Sequence, residues 1–288
     1  MRQYVIMTDS CCDLPPELVS QLNLTVLPLY FYIGGQGRYN YPDNREMDPK
    51  EFYDQLRAGM MSTTSAVNVG MFQAKMSQIV STGRDILCIS FSSGLSTTYQ
   101  SAVIAAKAVM EEYKTSTVTV IDSAAASLGQ GLLVYLAAQE KRKGKSLAEV
   151  AEFVEQTKQH LCHWFTVDDL NHLKRGGRVS AAAALVGTML QMKPVLHVDD
   201  EGHLIPMSKV RGRKASIAAL AEKVDELAED TDIIFISHGD CEEEARDLEK
   251  MIRQKHPVST CVINYVGPVI GSHSGPGTLA LFFLGKHK

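Results

Sequence analysis

The chain has 288 residues, 45% of them hydrophobic and 22% charged, with 29 basic against 33 acidic side chains. That composition belongs to a water-soluble globular protein and excludes a disordered, collagen-like or coiled-coil chain. The formal net charge of −4 argues against nucleic-acid binding by bulk charge, and no apolar run reaches the ~18 residues of a membrane span.

At roughly 100–200 residues per domain, two domains are expected. Val5-Ile6-Met7, ending in Thr8-Asp9-Ser10, reads as a first strand and a polar loop, with an acid too early for a signal-peptide core. Asp13 before Pro15 and Pro16 reads as a helix cap and first turn. Thr25 to Ile33 is β-rich and closes at Gly34-Gly35-Gln36-Gly37, and Asp48-Pro49 opens a second helix. Asp85 to Ser90 predicts a buried strand running into Ser92-Ser93-Gly94-Leu95-Ser96, followed by a helix from about Thr98 to Tyr113. Thr117 to Ser123 predicts another strand, then Ala124 to Arg142 a helix. Alternating strands and helices indicate a parallel α/β sheet covered on both faces, with ligands off the carboxyl ends of its strands. Asp9-Ser10, Ser92-Ser93 and Asp122-Ser123 stand at such ends.

After the charged break Lys141 to Ser146 comes a helix to about Leu161, and then the character changes. Cys162 to Val167 predicts a strand, and Asp168 to Arg175 a short helix stopped by Gly176-Gly177. Pro194–Val198 and His203–Met207 flank Asp199-Asp200-Glu201-Gly202, a hairpin signal. A helix to about Glu229, a strand at Ile233–Ile236, a helix from Cys241 to Gln254 and two closing strands complete the chain. The expected fold class is α/β: an N-terminal parallel-sheet α/β domain (1–160) plus a C-terminal α+β domain with hairpins (161–288).

Six cysteines form no C-x-x-C pair and read as reduced thiols of a cytoplasmic protein. No metal-ligand spacing is present, and Gly144-Lys145-Ser146 fails as a phosphate loop because Gln139 stands where its first glycine belongs. Neither a metal nor a cofactor is expected. Ser92 to Thr98 places hydroxyls and helix-start N–H groups together, which suits a carboxylate or phosphate or simple capping. Ser62-Thr63-Thr64-Ser65 alone reads as loop polarity. His273 lies among Gly271, Ser272, Ser274, Gly275 and Gly277, small residues that expose backbone N–H groups beside one imidazole or form a plain turn. Basic residues at Lys174, Arg175 and Arg178, and again from Lys209 to Lys214, read as a solvated face or as a positive field for an anion or acidic partner. Between them, Ala181 to Met192 suits either core or a long apolar ligand.

Taken together, Thr8-Asp9-Ser10 with Asp13-Leu14-Pro15, the segment Ser92 to Gln100, Asp122-Ser123, Gly176-Gly177-Arg178-Val179-Ser180, Lys193-Pro194 and His273-Ser274-Gly275-Pro276-Gly277 resemble the DegV family over nearly the whole chain. The resemblance implies a long-chain fatty acid with its tail in the C-terminal domain and its carboxylate at the domain junction. It further implies the lipid-binding subunit of a bacterial fatty acid kinase, without a nucleotide site of its own. A separate ATP-binding subunit would phosphorylate the bound acid to acyl phosphate for phospholipid synthesis. Matched position by position, the family's ligand-binding residues fall on Thr64 and Ser96, flanked by Ser65 and Ser93, with Arg178 and His273 beside the head group. Two motifs depart from the family pattern. The usual T-S-Q-P reads Thr64-Ser65-Ala66-Val67, and the usual S-G-T-Y reads Ser96-Thr97-Thr98-Tyr99. A competing reading is an autonomous hydrolase using Ser96 or Ser93, His273 and an aspartate such as Asp9. A third is a pure interaction protein.

Overall fold

In the computed structural model, which describes residues 2–179 and 192–288, the chain opens with β1 (Tyr4–Asp9), a tight turn at Ser10–Cys12, α1 (Pro16–Gln21) and β2 (Thr25–Leu27). It then builds β3 (Tyr30–Ile33), β4 (Gln36–Tyr39), α2 (Pro49–Arg57), β5 (Ser62–Ser65) and α3 (Val69–Val80). Next come β6 (Asp85–Ser90), α4 (Thr98–Glu112), β7 (Val118–Asp122), α5 (Leu128–Arg142) and α6 (Leu147–Thr157). The remainder runs β8 (Leu161–Thr166), α7 (Leu170–Gly176), β9 (Met192–Val198), β10 (Leu204–Arg211) and α8 (Arg213–Leu227). It closes with β11 (Ala228–His238), α9 (Glu242–Arg253), β12 (Thr260–Tyr265), α10 (Pro268–Ser274) and β13 (Leu279–Gly285).

The first sheet is parallel, in the order β2-β1-β6-β7. Every residue of β1 and β6 is buried, as expected for strands covered on both faces. Strand alternation divides them: Val5, Met7, Ile86 and Cys88 pack with α3 and α4, whereas Tyr4, Ile6, Leu87 and Ile89 pack with α5 and α6. The second sheet is mixed, in the order β10-β9-β8-β13-β11-β12, with only the β11–β12 pair parallel. Its strands alternate too. Cys162, Trp164, Ile234, Ile236, Leu281 and Phe283 pack against α8 and α9. Phe165, Phe235, Ala280 and Phe282 face the opposite way and join the α5 core. Helix α5 therefore lies between the two sheets, which is why it is buried on almost every side. Gly129 permits the close approach: a Cβ there would stand 2.8 Å from the Phe282 ring.

Several sequence expectations change. Thr25 to Ile33 is not one strand. At Pro28, which has no N–H for a ladder, the chain leaves the parallel sheet, and β3 enters a separate antiparallel sheet in the order β4-β3-β5. Ser62 to Ser65 is a strand of that sheet, paired with β3, and not a loop. Asp13 does not cap the start of α1, where Pro15 stands; it closes the Ser10–Cys12 turn with φ 48° and is buried. The helix after β7 starts only at Leu128, because Ala124 and Ser127 take positive φ. Part of the glycine-rich segment around His273 is helix α10, with Pro268 in its first turn. The stretch Ala181 to Gln191, expected to serve as core or tail surface, lies outside the described residues, as does Ser180.

Candidate functional site

The four segments singled out in the sequence meet at one cavity of about 440 Å³, in the range of small-molecule pockets. Thr64 and Ser65 reach it from β5, Ser93 and Ser96 from the β6–α4 loop, Arg178 from the segment after α7, and His273 from α10. Apolar side chains make up much of the remaining wall, among them Leu29, Phe91, Leu95, Phe165, Val269 and Ile270.

Strand alternation on β5 turns Ser62 and Thr64 toward α10, where Ser62 Oγ lies 2.6 Å from Ser272 Oγ and Thr64 Oγ1 lies 2.8 Å from His273 Nε2. His273 is held from the other side by α7. A Cβ on Gly176 would come within 2.5 Å of His273 Nδ1, so only glycine admits this packing. Gly177 then ends α7 in the left-handed conformation, and its N–H bonds to the Leu173 and Lys174 carbonyls. The next residue, Arg178, donates from Nε to the Leu95 carbonyl at 3.3 Å and from its guanidinium to Gly176 O. Arg178 thereby ties the end of α7 to the serine loop.

Burial and the Arg178 charge push His273 down to about 4. The imidazole is therefore neutral at physiological pH.

The serine loop narrows another expectation. Four of its backbone donors are already used: Ser93 N–H bonds Asp122, Gly94 N–H bonds Ser92 Oγ, and Leu95 and Ser96 N–H bond the Ser92 carbonyl. Ser96 Oγ accepts from the Thr98 N–H and lies 2.9 Å from Thr98 Oγ1, so it caps α4. What this loop offers a ligand is chiefly its hydroxyl groups, with the Thr97 N–H beside them at the cavity. The two departures from the family pattern leave those hydroxyls in place. After Thr64-Ser65, buried Val67 and the Asn68 cap of α3 fix the turn, and Thr97 precedes α4 without a side-chain bond of its own.

The hydrolase constellation does not assemble. His273 Nε2 is bonded to Thr64, and among the described residues it has no hydrogen bond to Ser93 or Ser96. Asp9 is fully buried and spends its carboxylate on Phe91 N–H, Ser90 and Cys11 N–H. Burial raises the Cys11 and Cys12 thiols far above the reactive range. Of the basic residues, Arg213 is bound to Glu244 at 2.5 Å and Lys193 to Asp168 at 2.8 Å, so neither is a free surface charge.

Sequence reasoning missed another part of the cavity: His163, Phe165, Ser237 and Ala280 from one face of the mixed sheet, with Ser127 before α5. Phe165 and Ala280 are register partners, as are Ala280 and Ser237, so these three form one row across β8, β13 and β11. His163 occupies the next row, beside Phe282. The available signal was a histidine inside the apolar strand Cys162 to Val167 and a serine ending Ile233 to Ser237.

Comparison with known proteins agrees along the whole chain. Residues 3–286 match the family model described as "Uncharacterised protein, DegV family". A DegV domain-containing protein of Clostridium perfringens is 46% identical, covering 100% of this chain and 99% of that protein. Among solved structures, a fatty-acid-binding DegV family protein of Thermus thermophilus shares 32% identity at a TM-score of 0.89, covering 99% of this chain and 100% of that one. A DegV described as a fatty acid binding protein from Bacillus subtilis shares 30% identity at a TM-score of 0.84, with the same coverage.

Proposed function

Because the chain belongs to the DegV family, we propose that it binds a long-chain fatty acid in the 440 Å³ cavity and presents its head group to a separate ATP-binding kinase subunit. The observation that carries this reading is the convergence of Thr64, Ser65, Ser93, Ser96, Arg178 and His273, far apart in sequence, on one cavity with many apolar lining residues. The division into residues 1–160 and 161–288, with the tail among the latter, frames the proposal, as does a cytoplasmic setting.

The chemistry is consistent with that role. A tail of about 16 carbons gains about 11 kcal/mol gross on burial, at ~0.8 kcal/mol per CH₂, before the costs of immobilisation. The head group then needs orientation more than ionic affinity. In the Nε2–H tautomer, neutral His273 donates to Thr64 Oγ1, which frees the Thr64 proton for a carboxylate oxygen. Ser96 supplies a second hydroxyl. Arg178, exposed and close to Leu95, supplies positive charge where a phosphoryl group would add negative charge. A second hollow of about 240 Å³ shares Thr64, Arg178 and His273 with the cavity and is lined by exposed Met60 and Met61, so the head-group end is approachable from outside.

The direct test is mass spectrometry of an organic extract of the purified protein, followed by calorimetry with palmitate and oleate after delipidation. About one fatty acid per chain is expected, and no lipid together with no binding defeats the reading. In the reconstituted reaction with a cognate kinase subunit, Arg178→Ala should retain lipid and lose at least about ten-fold in acyl-phosphate formation. Equal turnover by parent and variant defeats the presentation role.

A further inference from the structure

We propose that the second hollow is a phosphate subsite built on Arg175 and Arg178, and that this chain binds a long-chain lipid ending in a phosphoryl group more tightly than the free acid. The proposal rests on the fatty-acid reading above and adds a ligand class to the same site, an acyl phosphate or alkyl monophosphate.

Charge balance is the first observation. Arg175 and Arg178 both line the hollow of about 240 Å³, and among the described residues no aspartate or glutamate does. Six other arginines, Arg2, Arg45, Arg57, Arg213, Arg246 and Arg253, each pair with a carboxylate. Arg175 and Arg178 have no such partner among the described residues. Their bonds go to His172 Nδ1, the Leu95 carbonyl and the Gly176 carbonyl. Ser180 to Gln191, outside the described residues, contains no acidic side chain and supplies none either. Both imidazoles of the hollow are held below their ordinary range. Burial and then the Arg175 charge do this to His172, against the opposing charge of Asp169, and burial and Arg178 do it to His273. The positive charge of the hollow therefore resides on the two guanidiniums.

Geometry is the second observation. The hollow shares Thr64, Arg178 and His273 with the lipid cavity, whereas Arg175 lines the hollow alone. A head group at Thr64 stands at the border of the two spaces. The free acid needs only Thr64, Ser96 and Arg178, and leaves Arg175 idle. A phosphoryl group on the same chain end enters the hollow and meets both arginines. It carries about −1.5 to −2 charge at neutral pH on three acceptor oxygens, and the planar N–H fork of a guanidinium matches such oxygens. Arg175 donates one N–H to His172 Nδ1 at 3.1 Å, which anchors the fork and leaves its other donors for a ligand.

Calorimetry on delipidated protein compares palmitate with hexadecyl phosphate, a stable monophosphate of equal chain length. Inorganic phosphate is titrated separately into palmitate-loaded protein. The parent should bind hexadecyl phosphate about ten-fold tighter than palmitate, the contribution of one charge-assisted bond, and inorganic phosphate only weakly. Arg175→Gln should lose most of that preference and keep parent affinity for palmitate. Arg175 is exposed, and a glutamine amide can still donate to His172, so the variant should fold; melting temperatures check this. Lys174 stands on the same last turn of α7 with the same charge but does not line the hollow, so Lys174→Gln should keep the preference. If palmitate binds and hexadecyl phosphate binds no tighter, the subsite is wrong while the fatty-acid reading stands. An undiminished preference in Arg175→Gln, or an equal loss in Lys174→Gln, also overturns the subsite. Inorganic phosphate binding loaded protein as tightly as hexadecyl phosphate binds empty protein makes the hollow a free-phosphate site and overturns the lipid class. Absence of binding by both palmitate and hexadecyl phosphate overturns the subsite and the fatty-acid reading together.

Discussion

The two sheets meet the cavity in different ways. The parallel sheet contributes through loops beyond the carboxyl end of β6, where Ser93 and Ser96 are held by Asp122 and the start of α4. The mixed sheet contributes a face, the row Phe165–Ala280–Ser237 with His163 beside it. Loop residues present polar atoms whose position can be adjusted without disturbing a core. Face residues are fixed by register, so whatever they offer a ligand is also part of the packing around α5. Under the proposed function, the polar end of the cavity would meet the head group and the sheet face the tail.

The sharpest way to break that comparison is to fill the face. Ala280 is the small residue of its row, buried and at the cavity wall. Ala280→Leu should occupy the space the tail needs and lower affinity for palmitate by at least about 100-fold. The melting temperature should hold, since the added methyls fill an apolar cavity. Calorimetry and thermal unfolding on the same preparation decide it. Parent-like palmitate affinity would show that the face does not hold the tail.

A smaller effect is expected at the loop end. Thr64→Ala and Ser96→Ala each remove one hydrogen bond to a charged group, about 1–2 kcal/mol or roughly ten-fold in affinity. A fatty alcohol of equal length should be affected less, because it carries no charge. Thr64→Val, which keeps the shape, separates the lost hydroxyl from lost packing. If both alanine variants bind palmitate as the parent does, the carboxylate is held elsewhere.

The same contrast explains what could be read before the structure was known. Polar segments at strand ends are legible because hydroxyls, glycines and a histidine stand out against apolar neighbours, and Ser96 and His273 were marked in that way; Arg178 stood out in a basic stretch, and Thr64 only through the family resemblance. Helix starts with a cap and proline, as at Asp48-Pro49, and the Gly177 stop after α7 were equally visible. The break at Pro28 was not, because residues on both sides of it favour strand and only tertiary pairing assigns them to different sheets. Strand β5 was hidden for the opposite reason. Four hydroxyl residues carry no hydrophobic alternation, and β3 supplies the partner that makes them a strand. Ser237 and His163 were lost inside apolar runs that read as core.

The smallest effect expected concerns two buried titratable groups, His273 at the cavity and Asp13 beside Ser127. His273 has its folded value near 4 against an ordinary 6.5, so between these values the unfolded chain binds a proton the folded chain refuses. Its contribution makes stability rise with pH across that window and fall as acid is added. Asp13 has its folded value near 7 against an ordinary 3.8, so there the folded chain holds a proton the unfolded chain has lost. Its contribution is fully present below pH ~4 and is lost as pH rises through 7. Each group alone bends stability by at most about 1.4 kcal/mol per pH unit, in opposite senses. Other buried histidines, His163 and His197 among them, are also pushed down and add to the rising side. The informative quantity is therefore the difference between variant and parent across pH, not either curve alone. Urea midpoints at pH 4.5, 5.5, 6.5 and 7.5 (about one-unit steps through the window) should show His273→Gln gaining on the parent as pH falls. Asp13→Asn should gain on it as pH rises. Parallel curves for a variant and the parent would mean that its group keeps the same protonation on folding.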